Sequence, residues 1–318
     1  MTVVQVLRHR GVADGLSLPP DLAAAVEIID IPPDGPLPPG LSAPVLFTGA
    51  WRGGMPNLYR TVEQGGVRWV HLYGAGVEEL DLRRLCAGGR LVTNSAGAGA
   101  VPIAEWTMAT LLAFEKQLPE TWLRDAPANW YERKPLGTLS GRRLAVLGLG
   151  HIGTALAQRA VPFGVRVRGL RRRAGGPAVP GVELVDSLPE LLAQAEHVVL
   201  TAPLTSATRG VIDAKAFELM TPGVHLVNVA RGGLIDHDAL REALDTGVVA
   251  RASIDVPDPE PPPAGHWLYA HPKVRLTPHL SYAWPGSRAA HAEIFVDNLR
   301  RYLRGREPVN RVDPDAGY

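Results

Sequence analysis

Between Leu144 and Thr277 the chain alternates short β-branched runs with helical stretches, and no other feature of the sequence restricts the fold as much. A strand that must pass through a helix before the next strand builds right-handed βαβ units, and these stack into a parallel sheet. Six runs read as strands, at 144–147, 165–170, 197–201, 225–229, 250–256 and 274–277. Two sets of three strands joined by helices predict a Rossmann-type, doubly wound parallel α/β sheet.

The first 97 residues carry five more β-branched runs, at 3–7, 26–31, 45–47, 69–72 and 91–93, separated by turn residues. They predict a second, smaller flavodoxin-like α/β domain. The proline-rich stretch 31–44 reads as an irregular connection, because proline removes a backbone donor and fixes φ. At 101–118 the pattern changes to a helix with Pro102 in its first turn. Ile103, Trp106, Met108, Leu111, Leu112 and Phe114 put large apolar groups on most of its faces, so it must be covered nearly all round, in a core or between domains or subunits. A last amphipathic helix at 286–303 is expected to return to the first domain. The expected plan is therefore a substrate-binding domain of 1–97 with 282–318, a dinucleotide-binding domain of 98–281, and an active site in the cleft. A chain of 318 residues exceeds the usual size of one core, which fits two domains.

Lys and Arg number 33 against 32 Asp and Glu, so no global field draws the chain to nucleic acid or an anionic membrane. The one cysteine, Cys86, excludes an internal disulfide framework and a cysteine metal cluster, and no metal site is expected. Cys86 itself reads as a small buried hydrophobe in a reducing compartment. The N-terminus lacks a signal-type apolar run, and Glu105 and Glu115 interrupt the most apolar helix, short of the roughly 18 residues a membrane span needs. A cytoplasmic protein is expected.

Gly148-Leu149-Gly150-His151-Ile152-Gly153 lies between the strand at 144–147 and a helical stretch. The first glycine allows a tight turn, the second lets a pyrophosphate approach the backbone, and the third lets the helix pack on the strand with its N-terminus toward the phosphates. The spacing alone is weak evidence, but the strand–loop–helix setting makes it a dinucleotide motif. About twenty residues further on, NAD binding calls for an acidic side chain on the ribose. Here the second strand runs instead into Arg171-Arg172-Arg173, which suits a 2′-phosphate. NADP(H) is thus the expected cofactor, with NAD(H) possible.

Arg231, Glu260 and His279 each lie just beyond the end of a strand in the second half of this sheet, where ligands of open α/β sheets bind. Reduction of a 2-oxo acid needs a cation to hold the carboxylate and polarise the carbonyl, and an acid for the developing alkoxide. Arg231 offers the forked cation and His279 the acid, while a bond from Glu260 would favour the imidazolium.

The chain resembles the D-isomer-specific 2-hydroxyacid dehydrogenase family, in a glyoxylate/hydroxypyruvate reductase-like form, over almost its whole length. The likeness rests on Leu147 through Gly153, Val227-Asn228-Val229-Ala230-Arg231-Gly232-Gly233-Leu234-Ile235-Asp236, Asp255 through Glu260-Pro261, and Thr277-Pro278-His279. It implies Arg231, Glu260 and His279 as the catalytic set, with Arg231 and His279 also touching substrate. It implies Asp255 near the nicotinamide amide and a cofactor lining from Thr201, Ala202, Pro203, Thr208, Val229 and Ala230. It further implies that Tyr73, Gly74, Ala75 and Gly76 bind the substrate, with the Ala75 and Gly76 amides on its carboxylate. Pro257, where an aromatic is usual, and Glu78-Glu79, in place of an acid–amide pair, depart from the pattern.

The resulting expectation is an oxidoreductase moving a hydride between NAD(P)H and a small 2-oxo acid to give a D-2-hydroxy acid, assembled as a homodimer. The rival from another class is a non-catalytic, NAD(H)-sensing corepressor on the same fold. A phosphorylated substrate would call for a cation near Leu72-Tyr73-Gly74-Ala75-Gly76, which has none, although Arg52 lies in a neighbouring loop. Glyoxylate, hydroxypyruvate and longer 2-oxo acids all remain open.

Overall fold

The computed structural model describes residues 3–14, 16–49, 55–172 and 179–318. The chain divides into two compact units, Met1–Gly99 with Trp284–Tyr318, and Ala100–Ala283. Arg52 and Arg173 lie outside the described residues.

The first unit holds strands β1 (Val4–His9), β2 (Val26–Ile31), β3 (Val45–Thr48), β4 (Trp69–Leu72) and β5 (Leu91–Asn94). All pair in parallel in the order β2-β1-β3-β4-β5, the flavodoxin arrangement. Every residue of β3 and β4 is buried, as expected of central strands covered on both faces. The proline-rich stretch after β2 is irregular, as its composition predicts. The last helix, Ser287–Leu303, lays Phe295 and Leu299 into this unit's core, and Phe295 stacks on Phe47 with ring centres 4.0 Å apart. That burial ties the C-terminal segment to the N-terminal sheet.

The second unit holds β6 (Arg143–Leu147), β7 (Arg166–Leu170), β8 (Val182–Val185), β9 (His197–Leu200), β10 (Val224–Asn228), β11 (Val249–Ile254) and β12 (Val274–Leu276). The sheet runs β12-β11-β10-β9-β6-β7-β8, wholly parallel, which is the Rossmann order with a seventh strand. Alternation sorts the core. Leu144 and Val146 pack on one face with the helices Ala100–Glu115 and His151–Ala160, while Ala145 and Leu147 pack on the other with Leu188–Leu192, Ala214–Glu218 and His237–Thr246.

Two expectations need correcting. The sequence reading missed β8, so the set of three is β6, β7 and β8, and β9 opens the second half. β8 has four residues at the sheet edge, with Glu183 and Leu184 exposed, and carries no clear alternation. The helix read at 101–118 spans Ala100–Glu115. It stops because the residue before Pro119 is disfavoured in the helical region and Gln117 turns to φ +50°. Its buried stripe is Ala100, Ile103, Ala104, Thr107, Met108, Leu111 and Glu115, while Val101, Glu105 and Ala109 are exposed, so within one chain it is covered on one side only.

Glu115 ends that stripe as a buried carboxylate. Arg142 Nε lies 3.0 Å and His197 Nε2 3.1 Å from its Oε1, which fastens the helix to the starts of β6 and β9.

Candidate active site

The chain reverses its direction of growth between β6 and β9, so the loops leaving these neighbouring strands diverge above their carboxyl ends. Gly148 stands first in that opening at φ +105°, and a Cβ there would lie 2.6 Å from the Ala202 amide. Gly153 faces the Gly148 carbonyl so closely that no side chain fits. Gly150 differs: a Cβ would meet nothing of the chain within 4 Å, which leaves open space beside the N-cap of the helix His151–Ala160. Two glycines forced by the chain itself and one facing vacant space at a helix N-terminus suit a pyrophosphate.

Thr201 Oγ1 donates to the Gly148 carbonyl at 2.5 Å, holding the glycine loop against the end of β9. Thr208 Oγ1 accepts from Thr205 N at 2.8 Å and lies 2.7 Å from the Pro203 carbonyl, closing the turn that follows Ala202. Arg171 and Arg172 directly follow β7 and lie half-buried and exposed respectively.

On the other side of the opening, β10 ends at Asn228, whose buried amide organises the next turn. Its Oδ1 accepts from Ala230 N at 3.0 Å and its Nδ2 donates to the Arg231 carbonyl at 2.9 Å. Val229 and Ala230 are buried, and Arg231 is half-buried with its Nη1 2.6 Å from the Ala230 carbonyl. Gly232 presses on the Pro257 carbonyl, with the Asp258 amide 2.5 Å from where a Cβ would stand, so the Arg231 turn abuts the loop that carries Glu260. Asp236 then caps the helix His237–Thr246 through Asp238 N and Ala239 N.

Asp255, just past β11, is completely buried. Its Oδ1 accepts from Thr277 Oγ1 at 2.6 Å and Leu280 N at 2.9 Å, and its Oδ2 from Ser281 N at 3.1 Å. The turn so gripped holds His279 at φ +51°, with its amide on the Asp255 carbonyl at 2.9 Å. His279 Nδ1 meets Glu260 Oε1 at 2.8 Å, and both side chains are partly open to solvent. A carboxylate oxygen only accepts, so Nδ1 carries a proton and Nε2 is the nitrogen left to exchange one.

Tyr73, Gly74, Ala75 and Gly76 follow β4 in the first unit. Asn94 Nδ2 donates to the Ala75 carbonyl at 2.8 Å and Ser95 N to that of Gly74 at 3.3 Å. The Ala75 and Gly76 amides make no hydrogen bond among the described residues. Asn94 and Asn228 hold the turns of the candidate site, and sequence reasoning did not single them out. Their signal is an asparagine at a strand end before small residues, where its amide serves the next turn. Among the described residues no group of three His, Cys, Asp or Glu side chains is placed to hold a metal, and no helix is long and apolar enough to cross a membrane.

The family described as D-isomer specific 2-hydroxyacid dehydrogenase, NAD binding domain, matches residues 108–281. D-3-phosphoglycerate dehydrogenase of Methanocaldococcus jannaschii is 34% identical over 248 residues, 76% of this chain and 46% of that protein. Glyoxylate reductase of Thermococcus litoralis is 32% identical over 255 residues, 77% of this chain and 76% of that protein. A D-isomer specific 2-hydroxyacid dehydrogenase from Xanthobacter autotrophicus Py2, solved in complex with NADPH and MES, matches with a TM-score of 0.83 at 27% identity over 100% of both chains. The chain belongs to the D-isomer specific 2-hydroxyacid dehydrogenase family. The match covers less than half of the phosphoglycerate dehydrogenases it resembles.

Proposed function

We propose that this protein is a nicotinamide-dependent oxidoreductase that reduces a small 2-oxo acid to a D-2-hydroxy acid and runs the reverse oxidation. The observation that carries the reading is the 2.8 Å contact of His279 Nδ1 with Glu260 Oε1, on a turn clamped by Asp255 and beside the Arg231 turn. It is an acid–base pair with its reactive nitrogen left open.

A nicotinamide coenzyme held at the Gly148–Gly153 loop would supply the hydride. The chain does the rest. The Arg231 guanidinium holds the substrate carboxylate and polarises the carbonyl, and His279 Nε2 gives its proton to the oxygen that gains charge. Glu260 stabilises the charged imidazolium before that transfer and orients the ring throughout. In oxidation Nε2 accepts the hydroxyl proton instead. In the first unit the Ala75 and Gly76 amides, on a loop whose Ala75 carbonyl accepts from Asn94 Nδ2, are candidate donors to a carboxylate.

NADPH is the proposed coenzyme. Arg171 and Arg172 follow β7 where an acidic residue would bind an NAD ribose, and the relative from Xanthobacter autotrophicus was solved with NADPH. Assays with a panel of 2-oxo acids and both coenzymes test the whole reading. Turnover with at least one acid is expected, whereas tight NADPH binding without turnover would make the chain a sensing module.

A further inference from the structure

Past β11 the second unit carries the loop Pro257-Asp258-Pro259-Glu260-Pro261-Pro262-Pro263. Proline has no N–H, so along this loop only Asp258 and Glu260 can donate from the backbone, and side chains and carbonyls must hold most of it. Its far end is held in that way, by Tyr269 Oη donating to the Pro262 carbonyl at 3.0 Å. The Glu260 carboxylate is turned to His279 Nδ1. Asp258 is the other charged side chain of the loop.

Two neighbouring segments meet Asp258. The loop after β9, proposed to line the coenzyme, is bonded to the Arg231 turn through its backbone: Gly210 N donates to the Gly233 carbonyl at 2.8 Å and Ile212 N to that of Leu234 at 3.0 Å. These bonds set the Arg209 side chain beside Gly233. The position a Gly233 Cβ would take lies 3.0 Å from Arg209 Nη1 and 3.4 Å from Asp258 Oδ2, so the glycine lets two opposite charges face each other over one point. Neither of these side chains has a hydrogen bond or a closer ion pair among the described residues. The Asp258 charge also reaches His237, but burial lowers that histidine below its ordinary 6.5. His237 is therefore neutral at pH 7, and Arg209 supplies the opposite charge.

We infer that Asp258 is a positioning residue: its carboxylate, drawn to the Arg209 guanidinium above Gly233, holds the proline loop against the loop after β9 and so fixes where Glu260 meets His279. This rests on the acid–base role proposed for that pair. Asp258 stands two residues before Glu260, and a shift of about 1 Å at a reacting constellation is enough to slow it. A displaced Glu260 leaves His279 Nδ1 without its charged acceptor. Arg209 and Asp258 are both exposed, so their attraction is modest and screened by salt. Its loss should slow turnover by about two- to fivefold, far less than loss of His279 itself.

The test is kcat at saturating NADPH and 2-oxo acid, at low and high salt, in the wild type, Asp258→Asn, Arg209→Gln and Glu260→Gln, and in Asp258→Asn combined with each of the other two. Asp258→Asn and Arg209→Gln should each lower kcat by about two- to fivefold at low salt, and together by no more than either alone. In Glu260→Gln, where the charge being positioned is already gone, Asp258→Asn should cost less than about 1.5-fold. High salt should bring the wild type toward the single variants and leave the variants nearly unchanged, which a merely structural role would not do. NADPH affinity, read by nucleotide fluorescence, reports folding, and Arg209→Gln, alone and with Glu260→Gln, takes the place of Asp258→Asn if that variant does not fold. Turnover in the wild type with kcat unchanged in the single variants, additive losses for Asp258 and Arg209, or an equal loss with and without Glu260 overturns this assignment alone. No turnover of any 2-oxo acid overturns the proposed function and this assignment with it.

Discussion

The Thr277 hydroxyl donates to Asp255 Oδ1 at 2.6 Å, joining the residues that leave strands β12 and β11. With Leu280 N and Ser281 N on the same carboxylate, the bond makes Asp255 the clamp of the His279 turn. Asp255→Asn puts an NH2 group against at least one N–H or O–H that needs an acceptor. The predicted result is a loss of about 1–3 kcal/mol in stability and a fall in kcat of at least about tenfold. NADPH affinity should fall by a smaller factor. Thermal unfolding, kcat and fluorescence titration check this, and a variant that loses coenzyme affinity alone would assign Asp255 to the nicotinamide instead.

Coenzyme choice depends on Arg171 and Arg172. A ribose 2′-phosphate carries nearly two negative charges, and charge-assisted bonds from guanidinium are about twice as strong as neutral ones. NADPH should exceed NADH in kcat/KM by about tenfold to several hundredfold, more at low salt than at high. Arg171→Asp should narrow or reverse the ratio. Equal use of both coenzymes, insensitive to Arg171→Asp, would leave these arginines as a solvated turn.

Past the helix Ala100–Glu115, Trp122 and Trp130 are each 67% exposed and Tyr131 is 79% exposed. So much aromatic surface within ten residues motivates a homodimer that covers it together with the open side of the helix. Sedimentation at micromolar concentration should give a dimer, and Trp130→Glu should shift it toward monomer. A wild-type monomer under those conditions would reject the assembly.

Acid should destabilise the first unit before its carboxylates titrate. Burial lowers His9 from the ordinary 6.5 to about 4, and His71 to about 3. The unfolded chain takes up these protons below about pH 6.5 and the folded chain does not, so stability falls from there toward the folded values. At pH 5 each histidine costs about 2 kcal/mol. Tm should drop between pH 7 and pH 5, and His71→Gln, less stable at pH 7, should show a shallower drop. Parallel curves for the two proteins would contradict this account of His71.

Much of this architecture is written locally. Gly148, Gly150 and Gly153 are legible because strand, turn and helix follow one another within a few residues, and β4 and β9 announce themselves as short, mostly apolar runs. β8 is not legible, since an edge strand of four residues with an exposed centre has no pattern to show. The grip of Asp255 on residues 277, 280 and 281 spans more than twenty positions, and only the pairing of β11 with β12 brings it about. Asn94 escapes notice for the same reason: its partner Ala75 is supplied by tertiary structure.

The central claim is that His279, held by Glu260, is the proton donor to a 2-oxo acid. The most direct measurement is the pH profile of kcat/KM for reduction by NADPH, in wild type, Glu260→Gln and His279→Ala. The account predicts that His279→Ala loses at least about a hundredfold in turnover while NADPH affinity stays within a few fold. Glu260→Gln, which replaces the charged acceptor on His279 Nδ1 with a neutral one, should lower kcat/KM by a smaller factor. Near-normal turnover in His279→Ala, with an unchanged pH profile, would contradict it.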